Sequence, residues 1–346
     1  MEFQNGGGAY ITGLIREAVQ NGTRQITVSG NWEIEQTVLI PSDFTVILQN
    51  CHLRMADNTF CNLFTNEHCR TPEGRTLAGR DRNIRIVGIG KALLDGGTYN
   101  GLNEKNEQKD GRPDISVNNL ILFTNVEDFD ISGIQLHNQR WWAMNFIFCC
   151  RGRIRNIDFS SNPGLFTPTY VDYQSILVKN GDGIDLRAGC HDILIENITG
   201  FTEDDTVACT NLNGDVENRY RVEGLSTDLY NVVIRNICAA SYCGIVRILN
   251  QGGTKVYNIL VDGVMDTSAG DTRIQSERCW EVVRIGDKHL YGERHASTSE
   301  TMNITVRNVY SRGFTAVAVT GNVENLVLDN INGFDGCKTL IQRNLE

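Results

Sequence analysis

The sequence predicts an all-β solenoid, a parallel β-helix closed at its start by a short helix. Three observations predict it. A seven-residue strand-and-turn motif recurs through the chain, helical patterning is nearly absent, and 34 glycines stand against only 5 prolines.

The motif reads Asn or Asp, apolar, any, aliphatic, any, Asn or Gly, then Ile or Val. Its clearest copies are NILVDGV from Asn258, NVVIRNI from Asn231, DILIENI from Asp192 and NITVRNV from Asn303. NLVLDNI from Asn325, DFDISGI from Asp128 and NIRIVGI from Asn83 follow it, and RGRIRNI from Arg151 is a degenerate copy. In order, these starts lie 45, 23, 41, 39, 27, 45 and 22 residues apart. Such spacings read as one or two multiples of roughly 22, the scale of a solenoid repeat. Within each copy the aliphatic residues alternate, which marks a strand with one buried face. The Asn or Gly that follows suits a tight turn. One such coil cannot bury its face alone, whereas stacked coils share a continuous core.

Residues 10–19 are the exception, with Ile11, Leu14, Ile15, Ala18 and Val19 on one helical face. A helix there covers the open end of the solenoid, where edge strands need protection. With no linker or composition shift, residues 1–346 read as one domain. The polar stretches 97–117 and 286–302 read as surface loops. The net charge of −10 argues against nucleic acid or an anionic membrane as partner. No run of about 18 apolar residues suggests a membrane span. The start lacks a basic region followed by an apolar core, and the 11 cysteines have no C-x-x-C spacing. Buried reduced thiols and a cytoplasmic protein are the expectation.

The chemistry concentrates in two acidic clusters, Asn180-Gly181-Asp182-Gly183-Ile184-Asp185 and Glu203-Asp204-Asp205. Asp182 and Asp204 are 22 residues apart, about one coil, so the clusters fall side by side on one wall. Crowded carboxylates raise the pKa of at least one member. A carboxylic acid beside a carboxylate is the pair that glycoside hydrolysis uses. Each cluster alone is more often ordinary turn chemistry; their one-coil offset favours a site.

NGDGID and EDDTVA resemble the N-T-D-G-x-D and G-D-D-x-V/A motifs of the family 28 glycoside hydrolases, the polygalacturonase type. DGGTYNG from Asp95 is similar to a third family segment, D-G-x-G-x-x-W, without its Trp. The resemblance spans roughly residues 80–332. It implies a right-handed parallel β-helix, inverting hydrolysis of a pectin-related poly- or oligosaccharide, and no cofactor or metal. By the same resemblance Asp204 is the general acid, Asp182 and Asp205 hold and activate the water, and Asn180 orients Asp182.

The sequence also departs from the family pattern. Cys243, in Tyr242-Cys243-Gly244, stands where a G-H-G histidine belongs. Arg284-Ile285-Gly286 keeps the arginine of R-I-K but not the lysine. Arg284 and Cys243 therefore become candidate sugar contacts. Arg247 is either a replacement cation or a solvated strand residue, and Trp141 and Trp142 either stack on sugar or pack the core. Tyr170 and Tyr173 are candidate site-lining residues, and His191 at a strand start reads as structural. Two other readings compete with hydrolysis: a uronate lyase or epimerase, in which the aspartates could hold calcium, and a solenoid that binds carbohydrate without cleaving it.

Overall fold

The computed structural model describes residues 2–57, 59, 61–97, 118–139, 142–160, 181–212, 214–274, 277–286 and 295–343. Among these residues the chain winds as a right-handed parallel β-helix, with an 11-stranded sheet of mostly long strands and a 10-stranded sheet of short ones. Each coil runs along a long strand, such as Val256–Asp266, and returns through a short one, such as Glu281–Ile285.

The motif marks the coils because its first residue takes the left-handed conformation in every copy. Values of φ are 52° at Asn83, 57° at Asp128, 51° at Arg151, 55° at Asp192, 54° at Asn231, 56° at Asn258, 55° at Asn303 and 53° at Asn325. Asn and Asp tolerate this region because a short polar side chain can bond locally. Here the side chains bond from coil to coil. The Nδ2 of Asn231 donates to Asp192 (2.9 Å), that of Asn258 to Asn231 (3.0 Å), that of Asn303 to Asn258 (3.1 Å) and that of Asn325 to Asn303 (3.0 Å). Arg151, the odd member, substitutes a two-pronged pair with Asp128, both contacts at 2.8 Å.

Every motif start is a coil of its own, which corrects the expectation that the longer spacings are double coils. The strand containing Asn83 pairs directly with that containing Asp128, and the strand of Asn258 with that of Asn303. The stacked strands fix only the repeating part of a coil, while its turns accept insertions of varied length. Residues 98–117, inside the first expected loop, lie outside the described residues, as do 287–294 of the second. The second loop also ends earlier than expected, because Thr301 and Met302 pair with Val256 and Tyr257 and begin the strand Thr301–Ser311.

Inside, Ile193, Val232, Ile259 and Ile304 stack in register on successive strands and are buried. Gly152 explains the degenerate copy: a Cβ there would come within 2.0 Å of the Phe129 ring, which stacks on Phe146 at 5.0 Å. On the outer face Arg155, Glu196, Arg235, Asp262, Arg307 and Asp329 follow one another in register. That alternation keeps like charges from facing each other across strands.

The capping helix is longer than expected, spanning Gly7–Gln20. Ile11, Ile15 and Ala18 enter the core, each isoleucine contributing about 1.5–3 kcal/mol by burial. Val19 is exposed and Leu14 only half-buried, so the buried face is narrower than the sequence pattern. All 11 cysteines are free, seven of them buried. His191 is structural, its ring stacked on Tyr230 at 4.7 Å and Tyr230 on Tyr257 at 4.9 Å. No helix among the described residues is long and apolar enough to cross a membrane.

Candidate active site

The two acidic clusters sit at the starts of neighbouring short strands, Ile184–Leu186 and Val207–Asn211. Ile184 pairs with Val207 and Asp185 with Ala208, while the Gly183 N–H donates to the Asp205 carbonyl at 2.9 Å. Carried back two residues, this register sets Asp182 beside Asp205, roughly 4.8 Å away along the coil axis. The coil offset is thus 23 residues rather than 22, and Asp204 occupies the next step of the turn.

All three aspartates are buried. Asp204 is fixed from both sides. Its Oδ1 accepts the Asp205 N–H at 3.0 Å, and its carbonyl accepts the hydroxyls of Thr202 (2.7 Å) and Ser241 (2.6 Å). The Asp205 Oδ2 accepts from Arg247 Nη1 at 3.1 Å. Burial pushes Asp205 up to about 6, against the pull of Arg247 and with a further push from Asp204. Asp185, on the strand Ile184–Leu186, is pushed up to about 8, chiefly by burial, with Arg187 opposing and Asp205 and Asp204 adding. Asp185, which the sequence left without a role, is thus raised further than Asp205.

Behind Asp185 lies a buried ion network. Arg187 donates to Glu217 Oε1 at 2.6 Å and lies 3.5 Å from Asp185 Oδ1. Glu217 comes from the short helix Asp215–Arg219, and its Oε2 accepts the Gly214 N–H at 3.2 Å. The Arg187 guanidinium lies 3.6 Å over the Trp142 ring. Among the described residues, no three His, Cys, Asp or Glu side chains are grouped to hold a metal ion.

A sequence model of Glycosyl hydrolases family 28 matches residues 32–224, more than half the chain and both acidic clusters. The chain belongs to glycosyl hydrolase family 28. It is accordingly a glycosidase. The fold is similar to that of a hyperthermoactive exopolygalacturonase from Thermotoga maritima, with TM-score 0.58 and 16% identity over 99% of this chain and 87% of that one. It is also similar to a tailspike protein mutant of E. coli bacteriophage HK620 in complex with a pentasaccharide, with TM-score 0.62 and 12% identity. That match covers 97% of this chain but only 59% of the tailspike. At such identities the likeness is one of fold. No curated protein matches the chain in sequence.

Within this family 28 chain, the other expected site residues fall as follows. Arg247 and Arg284 stand in register on adjacent strands beyond the aspartates. Arg247 is buried and paired with Asp205, so it is not a solvated strand residue. Arg284 is half-buried and pairs with Glu281 at 3.2 Å. Cys243 lies against Asp204, and burial together with that carboxylate holds its thiol well above the ordinary range. Of the two readings of Trp142, the structure has core packing and not a sugar-stacking face: it is 5% exposed, packed with Leu122, Ile147 and Phe148 beneath Arg187. Asn180, Trp141, Tyr170 and Tyr173 lie outside the described residues. The sequence reading missed Arg187, Glu217 and Glu281. Arg187 follows Asp185 by two, so alternation alone could have put both on the outer face. Glu217 sits in an inserted turn, where no periodic signal exists.

Proposed function

We propose that this glycosidase cleaves a pectin-related poly- or oligosaccharide by single displacement with inversion at the anomeric carbon. Asp204 donates its proton to the leaving oxygen. Asp182 and Asp205 hold a water and take its proton as the water oxygen bonds to the anomeric carbon. The observation that carries the reading is the register that sets Asp182 beside Asp205, with Asp204 one residue away and hydrogen-bonded to the same backbone. A base held near 6 by burial is ionised at neutral pH yet close enough to it to accept a proton. Arg247 and Arg284 supply positive charge beside a cluster of acids, which suits the carboxylate of a uronate unit. Cys243 leaves that recognition without the histidine of the family motif.

Inversion needs space for water between acid and base, with their carboxyl groups roughly 6.5–9.5 Å apart in the working complex. The test is hydrolysis of a panel of pectic and neutral oligosaccharides by the wild type and by Asp204→Asn. The variant keeps the shape but cannot donate the proton, and it should lose on the order of 10²–10⁴ in rate. Full activity in Asp204→Asn would remove it as the acid.

A further inference from the structure

Trp280 is the one tryptophan among the described residues with a largely open surface, 46% exposed. A single exposed aromatic is unremarkable by itself; its place in the coil stack is not. The backbone N–H of Trp280 donates to the Tyr242 carbonyl at 3.2 Å and that of Glu281 to the Cys243 carbonyl at 3.2 Å. With Gly244 paired to Glu281, this sets Trp280 beside Cys243. Carried back three residues, the pairing of Val207 with Val246 sets Cys243 in turn beside Asp204. Asp204, Cys243 and Trp280 thus form one row along the solenoid, Trp280 two coils from Asp204, or roughly 10 Å at the strand spacing.

The ring is also held in place. Tyr242 lies 5.5 Å away at 40°, and is itself buried with Phe201, Ala240 and Ile274. A rigidly backed indole loses little freedom when a ligand covers it. The residue after Trp280 is Glu281, whose carboxylate bonds Arg284 at 3.2 Å on the same short strand. An aromatic face beside a charged acceptor and a charged donor matches a sugar unit, which offers an apolar ring face and a rim of polar groups.

We propose that Trp280 is the stacking platform of a separate sugar-binding subsite, with Glu281 as its polar partner, engaging a sugar unit beyond those at the cleaved bond. This rests on the reading of Asp204 as the centre of cleavage, because the offset from Asp204 defines which unit is held. A chain too short to reach two coils gains little from Trp280, while a longer one gains its full contribution.

The experiment compares wild type, Trp280→Ala and Trp280→Phe on galacturonate oligomers of two to six units, with circular dichroism as the check on folding. Hydrolysis is followed by reducing ends, and binding by calorimetry and tryptophan fluorescence in the Asp204→Asn background. For Trp280→Ala the loss in kcat/KM should grow with chain length to about tenfold, carried by KM, the scale of stacking a flat ligand on an aromatic ring. Trp280→Phe should recover most of it while abolishing the fluorescence change on binding. A loss independent of length, or none, overturns the platform and leaves the catalytic reading intact. Binding that depends on Trp280 without hydrolysis by the wild type supports the platform and overturns the catalytic reading. No binding of any oligomer by wild type or Asp204→Asn overturns the platform.

Discussion

Replacing Asp185 by Asn should make the protein more stable at neutral pH, and the gain should vanish in mild acid. Asp185 is 1% exposed and its carboxyl is pushed up to about 8, against 3.8 for an ordinary aspartate. The folded state thus holds this proton more tightly than the unfolded chain. Its contribution favours folding fully below about 3.8 and is lost as pH rises towards about 8. At pH 7 the unfolded chain has released the proton and the folded chain has not. The interval from 3.8 to 7, at about 1.4 kcal/mol per pH unit, corresponds to about 4 kcal/mol of stability forgone. Asn keeps the size and has no proton to release, so it escapes this cost. It loses about 1 kcal/mol if its contact with Arg187 weakens, for a net gain of about 3 kcal/mol. Urea unfolding of both proteins at pH 5, 6, 7 and 8 measures it. The difference should widen steadily with pH. A constant difference, or a variant less stable at pH 8 than the wild type, would refute the claim that Asp185 is buried as a neutral acid.

Arg284→Ala should raise the Michaelis constant on an anionic oligosaccharide with the fold unchanged, and unaltered kinetics on the true substrate would take Arg284 out of the site. At Asn258, φ of 56° and two ladder bonds mean that Ala should cost about 2 kcal/mol in denaturant unfolding. Gly at the same position should cost less, since it keeps the backbone freedom and loses only the ladder.

The fold was legible because the coil repeat is written in a conformational requirement. Each left-handed corner admits few residue types, so Asn and Asp recur there, and the alternating aliphatics between corners mark the buried face. Coil length was not legible. The 45 residues from Asn83 to Asp128 and the 22 from Asn303 to Asn325 each carry the chain to the next paired strand. The same limit applied to the site. The motifs singled out Asp182, Asp204 and Asp205 as candidates, but aligning Asp182 with Asp205 depended on a one-residue difference in register that spacing alone does not resolve. Arg187, Glu217 and Trp280 matter through neighbours 30 or more residues away or a coil or two along the stack. Trp142 stayed open between sugar and core because its sequence neighbours do not reveal that Arg187 covers it.

The central claim is inverting hydrolysis by the aspartate cluster, and proton NMR of the first product formed tests it most directly. Substrate of known anomeric configuration is mixed with enzyme, and the released reducing end is observed before mutarotation. The account predicts that the new anomer has the opposite configuration to the cleaved bond, because a single water attacks from the face away from the leaving group. A first product that keeps the substrate's configuration would contradict it and require a covalent intermediate instead.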